Sequence, residues 1–517
     1  MSLGKQVAKG LVWTSLESFG LSGLSLLSLM VFTRCLTPAQ FGVSAVALAI
    51  VQAAGVPADL LFHDVLIQRR EVRPEHANAA FTVSVAAGVL ACALCWACAA
   101  PIAGLAHEPQ LIWVLRWMSL SLLGTGFASV LMAMQRRNLE FRAIALRSLI
   151  GRASSAIVAT LLALAGTGVW SLVVQQVLLI WLGTLTLWVL TKSSDRPRFE
   201  FAWAPVRDML GFGVVTTTAQ WFSMLIPRAF TVLVGSYLGS AAAGLLSLAF
   251  RGLDMLRDLL VGAVAHLAAP VYARLRDDRE ALASAYSRSV QLTAVVTYPV
   301  FVGLGCCAEE VIALVFGRQW VMAAPYFVVV ALLVVPFFLW LYSYQVFNAL
   351  GKPGPPAVNL AIEALYVIVA MVVFGRLSVN HAVAVWASRW VLVLPIGMTM
   401  LKRVSGMGYF TQLRGAVAPA VAAAAMGLVV VLVKRALLSA LPDPVKLAVI
   451  AVTGALTYAA AIALLDRALV QELIGFATRA LASRRALAAA PQTATGSAAT
   501  GAAAAATDSS PSTGGRH

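Results

Sequence analysis

Long apolar runs recur along the whole chain, separated by short polar breaks. Fourteen can be counted in the 517 residues, near 11–33, 41–62, 79–100, 111–133, 144–165, 168–190, 209–234, 241–262, 290–308, 321–344, 356–374, 381–401, 415–433 and 446–466. Each is close to the roughly 20 residues that a helix needs to cross the hydrocarbon core of a bilayer. In lipid an open chain satisfies its backbone only as a helix, so every run is read as one. Composition agrees: 60% of the residues are hydrophobic and only 12% are charged. A soluble domain is nearer about 25% charged. An ordinary soluble enzyme, a secreted disulfide scaffold and a disordered chain are thereby excluded. The expectation is an all-α polytopic membrane protein with 14 transmembrane helices.

The net charge is +16. On a soluble chain that would suggest nucleic acid, but position decides. With the N-terminus inside, 26 of the 38 basic residues fall on one side of the fourteen runs, six on the other and six within runs. Cytoplasmic loops carry such an excess. Both termini are therefore expected to be cytoplasmic, with no nucleic-acid partner. The loop over 434–446 breaks the rule, with Lys434, Arg435 and Lys446 on the poorly charged side. The N-terminus (MSLGKQVAKG) has no A-x-A cleavage site after it and reads as a retained signal anchor.

Two offsets recur. At 202 residues, Val12 and Thr14 match Val214 and Thr216, and the turn Leu36–Gly42 matches Leu238–Gly244. At 210 residues, Leu131, Gln135 and Asn138 match Leu341, Gln345 and Asn348. The pairs join runs 1 and 7, 2 and 8, and 4 and 10. Two six-helix halves are expected, related by a pseudo-twofold along the membrane normal, because six helices restore the orientation. The organisation is then an N-terminal half over 1–200, a C-terminal half over 201–410 and helices 13 and 14 within 411–485. A disordered Ala/Thr/Ser/Gly-rich cytoplasmic tail follows over 486–517.

Six motifs carry a family resemblance. They are Thr33–Gly42 (TRCLTPAQFG), Val65–Val72 (VLIQRREV), Met134–Phe141 (MQRRNLEF), Gly166–Val177 (GTGVWSLVVQQV), Pro270–Glu280 (PVYARLRDDRE) and Val315–Pro325 (VFGRQWVMAAP). In this order they resemble the WzxC-like polysaccharide flippases of the multidrug/oligosaccharidyl-lipid/polysaccharide exporter superfamily. The resemblance implies a transporter of the bacterial inner membrane and no enzyme. It would pass polyprenyl-pyrophosphate-linked oligosaccharide units of lipopolysaccharide, capsule or exopolysaccharide across the membrane by alternating access. Its partners would be that glycolipid, membrane lipid and a polysaccharide polymerase or export complex. The alternative is an ion-coupled multidrug or cation antiporter of the same superfamily. A polymerase or ligase would need a larger periplasmic loop than any here. The chain departs from the family at Arg228-Ala229-Phe230, where members carry an acidic position.

No phosphate-cradling G-x-x-x-x-G-K-[ST], H-E-x-x-H or G-x-S-x-G is present. No cofactor or metal site is expected. Cys92, Cys95 and Cys98 lie along an Ala-rich run and read as small core residues. The six histidines form no ligand pattern.

Charges inside spans are the informative residues, because each costs a few kcal/mol or more at the bilayer centre. The basic ones are Arg152, Arg228, Arg251, Arg257 and Arg389. The acidic ones are Glu17, Asp254, Asp258 and Glu363. Spacing of i,i+3 puts Asp254 beside both Arg251 and Arg257. Arg152 and Arg228 have no charged neighbour on their own helix. Two readings stand. In one, arginine forks bind the pyrophosphate or acidic sugars in a cavity between the halves while the acids balance charge or couple protons. In the other, interhelical salt bridges pin the packing. Arg116, near a span end, reads as a snorkelling anchor.

Overall fold

The computed structural model describes residues 23–69, 71–352, 354–437, 442–472 and 475. Glu17, the first half of the first run and the tail over 486–517 lie outside the described residues. All regular structure among the described residues is helical.

A helix stands at each of the fourteen runs. These are α1 (Gly23–Cys35), α2 (Pro38–Leu60), α3 (Pro74–Leu105), α4 (Gln110–Arg137), α5 (Phe141–Leu164), α6 (Trp170–Leu190) and α7 (Trp203–Leu238). Then come α8 (Ser240–Arg274), α9 (Arg279–Cys306), α10 in two pieces (Ala324–Leu332 and Val334–Ala349), α11 (Gly354–Ala370), α12 (Val379–Ser405), α13 (Tyr409–Leu437) and α14 (Asp443–Leu465). Among the described residues, 12 helices are long and apolar enough to cross a membrane. The other two of the fourteen are α1, whose described part is short, and α8, whose middle carries four charges.

Local chemistry sets the helix ends. Thr37 caps α2 in a reciprocal box with Gln40, and Pro38 follows at the first turn. Asp278 accepts from the amides of Glu280 and Ala281 at the start of α9. Gly406, at φ +80, ends α12. α4 and α10 end alike: Leu139 (φ 57) and Gly351 (φ 66) are left-handed. The next amide, of Glu140 or Lys352, reaches back to Gln135 or Phe347.

Two helices outrun their apolar stretches. α7 has 36 residues and α8 has 35. At 1.5 Å per residue that is about 54 Å, against roughly 30 Å of hydrocarbon. The extra turns carry polar residues that hydropathy does not count. Asp208, in the first turns of α7, pairs with Arg69 after α2. Arg69, with His76 beyond it, holds the Asp208 carboxyl below the usual carboxylate range.

By internal contacts the chain divides into residues 1–458 and 459–517. In the second unit the described residues 467–472 are helical, and Asp466 accepts from the Leu469 amide at 3.0 Å. In the first, α13 packs along α9. Lys434 there pairs with Glu310 at 2.8 Å and donates to the Cys306 carbonyl. This gives a physical reason for one basic residue on the poorly charged side: its charge is met locally.

α2 is the hub of the first unit, packing on α3, α4, α7 and α8. Where α2 crosses α8, a Cβ added to Gly42 would collide with the Ser240 carbonyl, and one added to Gly244 would collide with the Pro38 carbonyl. The crossing is reciprocal at the 202-residue offset noted in the sequence. Beside it, the α1–α2 turn is tied to the α9–α10 connection. The Trp320 indole donates to the Thr33 carbonyl at 2.6 Å, Gln319 reaches the Thr33 and Leu36 carbonyls, and Arg34 reaches the Leu314 carbonyl. Trp320 and Phe41 are fully buried and meet edge to face. Trp320→Phe keeps an aromatic ring against Phe41 but removes the donor and part of the buried ring volume. It is expected to cost about 1–3 kcal/mol, read as a lowered midpoint of thermal unfolding in detergent. An unchanged midpoint would show that Gln319 and Arg34 hold the turn without the indole.

Candidate functional site: a charged cavity within the first unit

A cavity of about 860 Å³ lies below the α2–α8 crossing, between helices of both expected halves. It is lined by Arg152 on α5, Arg228 on α7, Arg251, Asp254, Arg257 and Asp258 on α8, Glu363 on α11 and Arg389 on α12. Eight residues singled out in the sequence therefore meet at one place; the ninth, Glu17, lies outside the described residues. Five arginines against three carboxylates leave a positive surplus of two.

The helices bring these groups together in different ways. Arg389 donates Nε to Glu363 Oε1 at 2.9 Å and Nη1 to the Trp386 carbonyl. Its guanidinium lies 3.5 Å from the Trp386 ring centroid and 5.0 Å from that of Trp390. Both partners of this α11–α12 pair are buried. Such a pair holds its own charges and has little left for a ligand. On α8, Arg257 pairs with Asp254 at 2.8 Å and with Asp258 at 3.4 Å, and lies over the Phe337 ring.

One expectation needs correction. Asp254 does not bridge both neighbours: Arg251 lies instead over the Phe41 ring at 5.2 Å, among the described contacts. An acid preceding its base along a helix is the better order. Arg257 meets that condition toward Asp254, and Arg251 does not. Arg152, read as lacking a charged neighbour on its own helix, finds a neutral partner on another: its Nη1 donates to the Ser25 hydroxyl of α1 at 2.7 Å. That contact joins residues 127 apart, which no local spacing reveals. Arg228 lines the cavity and has no hydrogen bond or ion pair among the described residues.

Sequence reasoning weighed charges and passed over neutral polar groups. The cavity is also lined by Gln52 on α2, Gln175 and Gln176 on α6, and Ser25, Ser28 and Ser155. The signal was present, since the paired glutamines interrupt an apolar run within a quoted motif. Trp340, Trp386 and Trp390 supply aromatic wall from α10 and α12.

Other singled-out residues lie elsewhere. The guanidinium of Arg116 sits 5.7 Å from the Trp96 ring and 5.3 Å from the Trp113 ring. Cys92 and Cys95 are buried in α3 and Cys98 is exposed, all as free thiols. His63 sits between Arg136 and Asp64, and Asp64 accepts from Gln220 of α7. Among the described residues no three His, Cys, Asp or Glu side chains gather as a metal would need.

The fold has solved counterparts. The chain superimposes on a lipid II flippase MurJ in an inward closed conformation with a TM-score of 0.72 at 13% identity, covering 89% of this chain and 100% of that one. Among curated proteins it is 28% identical over 324 residues to the succinoglycan biosynthesis transport protein ExoT of Rhizobium meliloti (strain 1021). It is 24% identical over 324 residues to the lipopolysaccharide biosynthesis protein WzxC of Escherichia coli (strain K12). Each of these two alignments covers 62% of this chain and 65% of the relative. The profile of a family described as polysaccharide biosynthesis protein matches residues 31–325, more than half of the sequence. The chain therefore belongs to the polysaccharide biosynthesis protein family.

Proposed function

We propose that the chain moves polyprenyl-pyrophosphate-linked oligosaccharide units from the cytoplasmic to the periplasmic leaflet of a bacterial inner membrane. The observation that carries this reading is the cavity. It has a positive surplus of two, and among the described residues Arg228 makes no hydrogen bond, ion pair or ring contact. An anionic headgroup fits that balance better than a cationic drug does. Guanidinium forks suit phosphate oxygens, and a low-dielectric cavity strengthens the attraction. The names of the curated relatives, in succinoglycan and lipopolysaccharide synthesis, support the same substrate class. In this proposal the lipid tail stays in the bilayer and no bond is broken. The halves over 1–200 and 201–410 rock about the cavity, and both termini are cytoplasmic. The reciprocal Gly42–Gly244 crossing supports the pseudo-twofold relation between the halves. The basic loops support the orientation.

The test is reconstitution into liposomes with a fluorescent pyrophosphate-linked glycolipid, scored by protection from an external reagent. Hydrogen bonds to charged groups contribute about 1.5–3 kcal/mol. Arg228→Ala and Arg152→Ala are therefore expected to slow flipping by about 10- to 100-fold. Ser25→Ala, which removes the hydroxyl that Arg152 touches and keeps the charge, should change the rate far less. Wild-type rates in both arginine variants would overturn their assignment. No flipping by the wild-type protein would overturn the function itself.

A further inference from the structure

The cavity has two chemically different walls. The wall from α7, α8, α11 and α12 carries seven of its eight charges. The wall from α1, α2, α5 and α6 carries one, Arg152, and presents neutral polar groups among apolar side chains. Three of these are amides, Gln52, Gln175 and Gln176. They sit within runs that are apolar enough to cross a membrane. Gln52 is exposed and Gln175 and Gln176 are half-buried, so their amides are open to a ligand in the cavity. Three other glutamines within spans donate to protein groups, whereas the Gln345 side-chain oxygen is buried without a partner. Gln135 donates to the Thr191 hydroxyl, Gln220 to Asp64, and Gln412 to the Met398 and Met407 carbonyls. Gln52, Gln175 and Gln176 have no such partner among the described residues.

Resting on the flippase reading above, we infer that these three amides form a subsite for sugar hydroxyls, distinct from the arginines that hold pyrophosphate. A side-chain amide offers two donors and an acceptor in one plane. That suits neighbouring hydroxyls, each of which both donates and accepts. An amide carries no net charge and gives a phosphate little reason to prefer it over water. A site built to hydrogen-bond hydroxyls strongly rejects an analogue that lacks them, because its own polar groups are then left unpaired. Trp340 and Trp390, across the cavity on α10 and α12, add apolar surface for the face of a sugar ring. The amides thus select the glycan, and the arginines hold the part common to all such lipids.

The test measures binding of the purified full chain in nanodiscs to bare undecaprenyl pyrophosphate. The same lipid is also presented bearing glucose, galactose or N-acetylglucosamine. The wild-type protein should bind at least one glycosylated probe about 10-fold or more above the bare lipid. The triple variant Gln52→Leu/Gln175→Leu/Gln176→Leu should lose that preference and keep its affinity for the bare lipid. Leu is at home in an apolar helix, and thermal unfolding checks the fold. Gln175→Asn/Gln176→Asn keeps the amides but shortens their reach, and should lower the preference without removing it. Arg228→Ala should weaken all four probes by a similar factor. A preference that survives in the triple variant overturns the subsite, and so does a wild-type protein that prefers no glycosylated probe. Failure of the wild-type protein to bind even the bare lipid overturns the flippase reading instead.

Discussion

Gly42→Val is expected to drive the protein out of the closed arrangement seen at the α2–α8 crossing. The two helices touch there through backbone alone, so a Cβ at Gly42 has no flexible side chain to push aside. It meets the Ser240 carbonyl, and the same holds for Gly244 against Pro38. Overpacking of this kind costs about 1–3 kcal/mol, occasionally more. Relief requires the helices to part, which would open the cavity at the end remote from the basic loops. A bias of about 3 kcal/mol shifts a two-state population by roughly 100-fold. The readout is a single cysteine at the cavity residue Ser247, in a background without native cysteines, labelled by an impermeant maleimide from the periplasmic side. Labelling should rise by 10-fold or more in Gly42→Val, and equally in Gly244→Val if the halves are related by twofold symmetry. Gly104→Ala, whose Cβ would meet nothing within 4 Å, is the control. Unchanged labelling and stability in both crossing variants would mean that this end of the cavity does not open.

That crossing shows what the sequence could and could not reveal. The match between Leu36–Gly42 and Leu238–Gly244 was visible as a repeat, because a turn and its following glycine recur at a fixed offset. That the two copies would touch was not visible, since contact between repeats depends on the axis relating them. The charges were legible because a guanidinium in an apolar run is costly wherever it lies. Their partners were less so. Arg152 finds Ser25 on another helix, and Arg389 finds Glu363 across the α11–α12 turn. Helical spacing predicts neighbours only along one helix. Even there it left Arg251 and Arg257 as equal partners for Asp254. The contact with Phe41 of α2 and the preferred acid-to-base order decide between them. The amides were overlooked because hydropathy scores a glutamine among leucines as a small perturbation. In lipid it is an unmet set of hydrogen bonds.

Arg389→Leu should be among the most damaging single changes in the cavity. Glu363 and Arg389 are both buried, and removing one partner leaves an uncompensated charge. Breaking a buried pair in this way typically costs about 3–5 kcal/mol. Replacing both partners by apolar residues is often neutral, because the desolvation penalty goes with the charges. The cycle therefore consists of Arg389→Leu, Glu363→Leu and the double variant, each followed by thermal unfolding and by flipping in liposomes. Both single variants should be destabilised, and the double variant should regain most of the lost stability. Flipping then separates the two readings that the sequence left open. If the pair only pins α11 to α12, the double variant should flip at close to the wild-type rate once its fold is restored. If Arg389 also receives the headgroup, stability returns and transport does not. The geometry favours the first outcome. Arg389 already gives Nε to Glu363, Nη1 to the Trp386 carbonyl and its face to two tryptophans. Arg228, with no such commitments, is the better placed to meet a phosphate. A double variant that is stable but inactive would reverse that ranking.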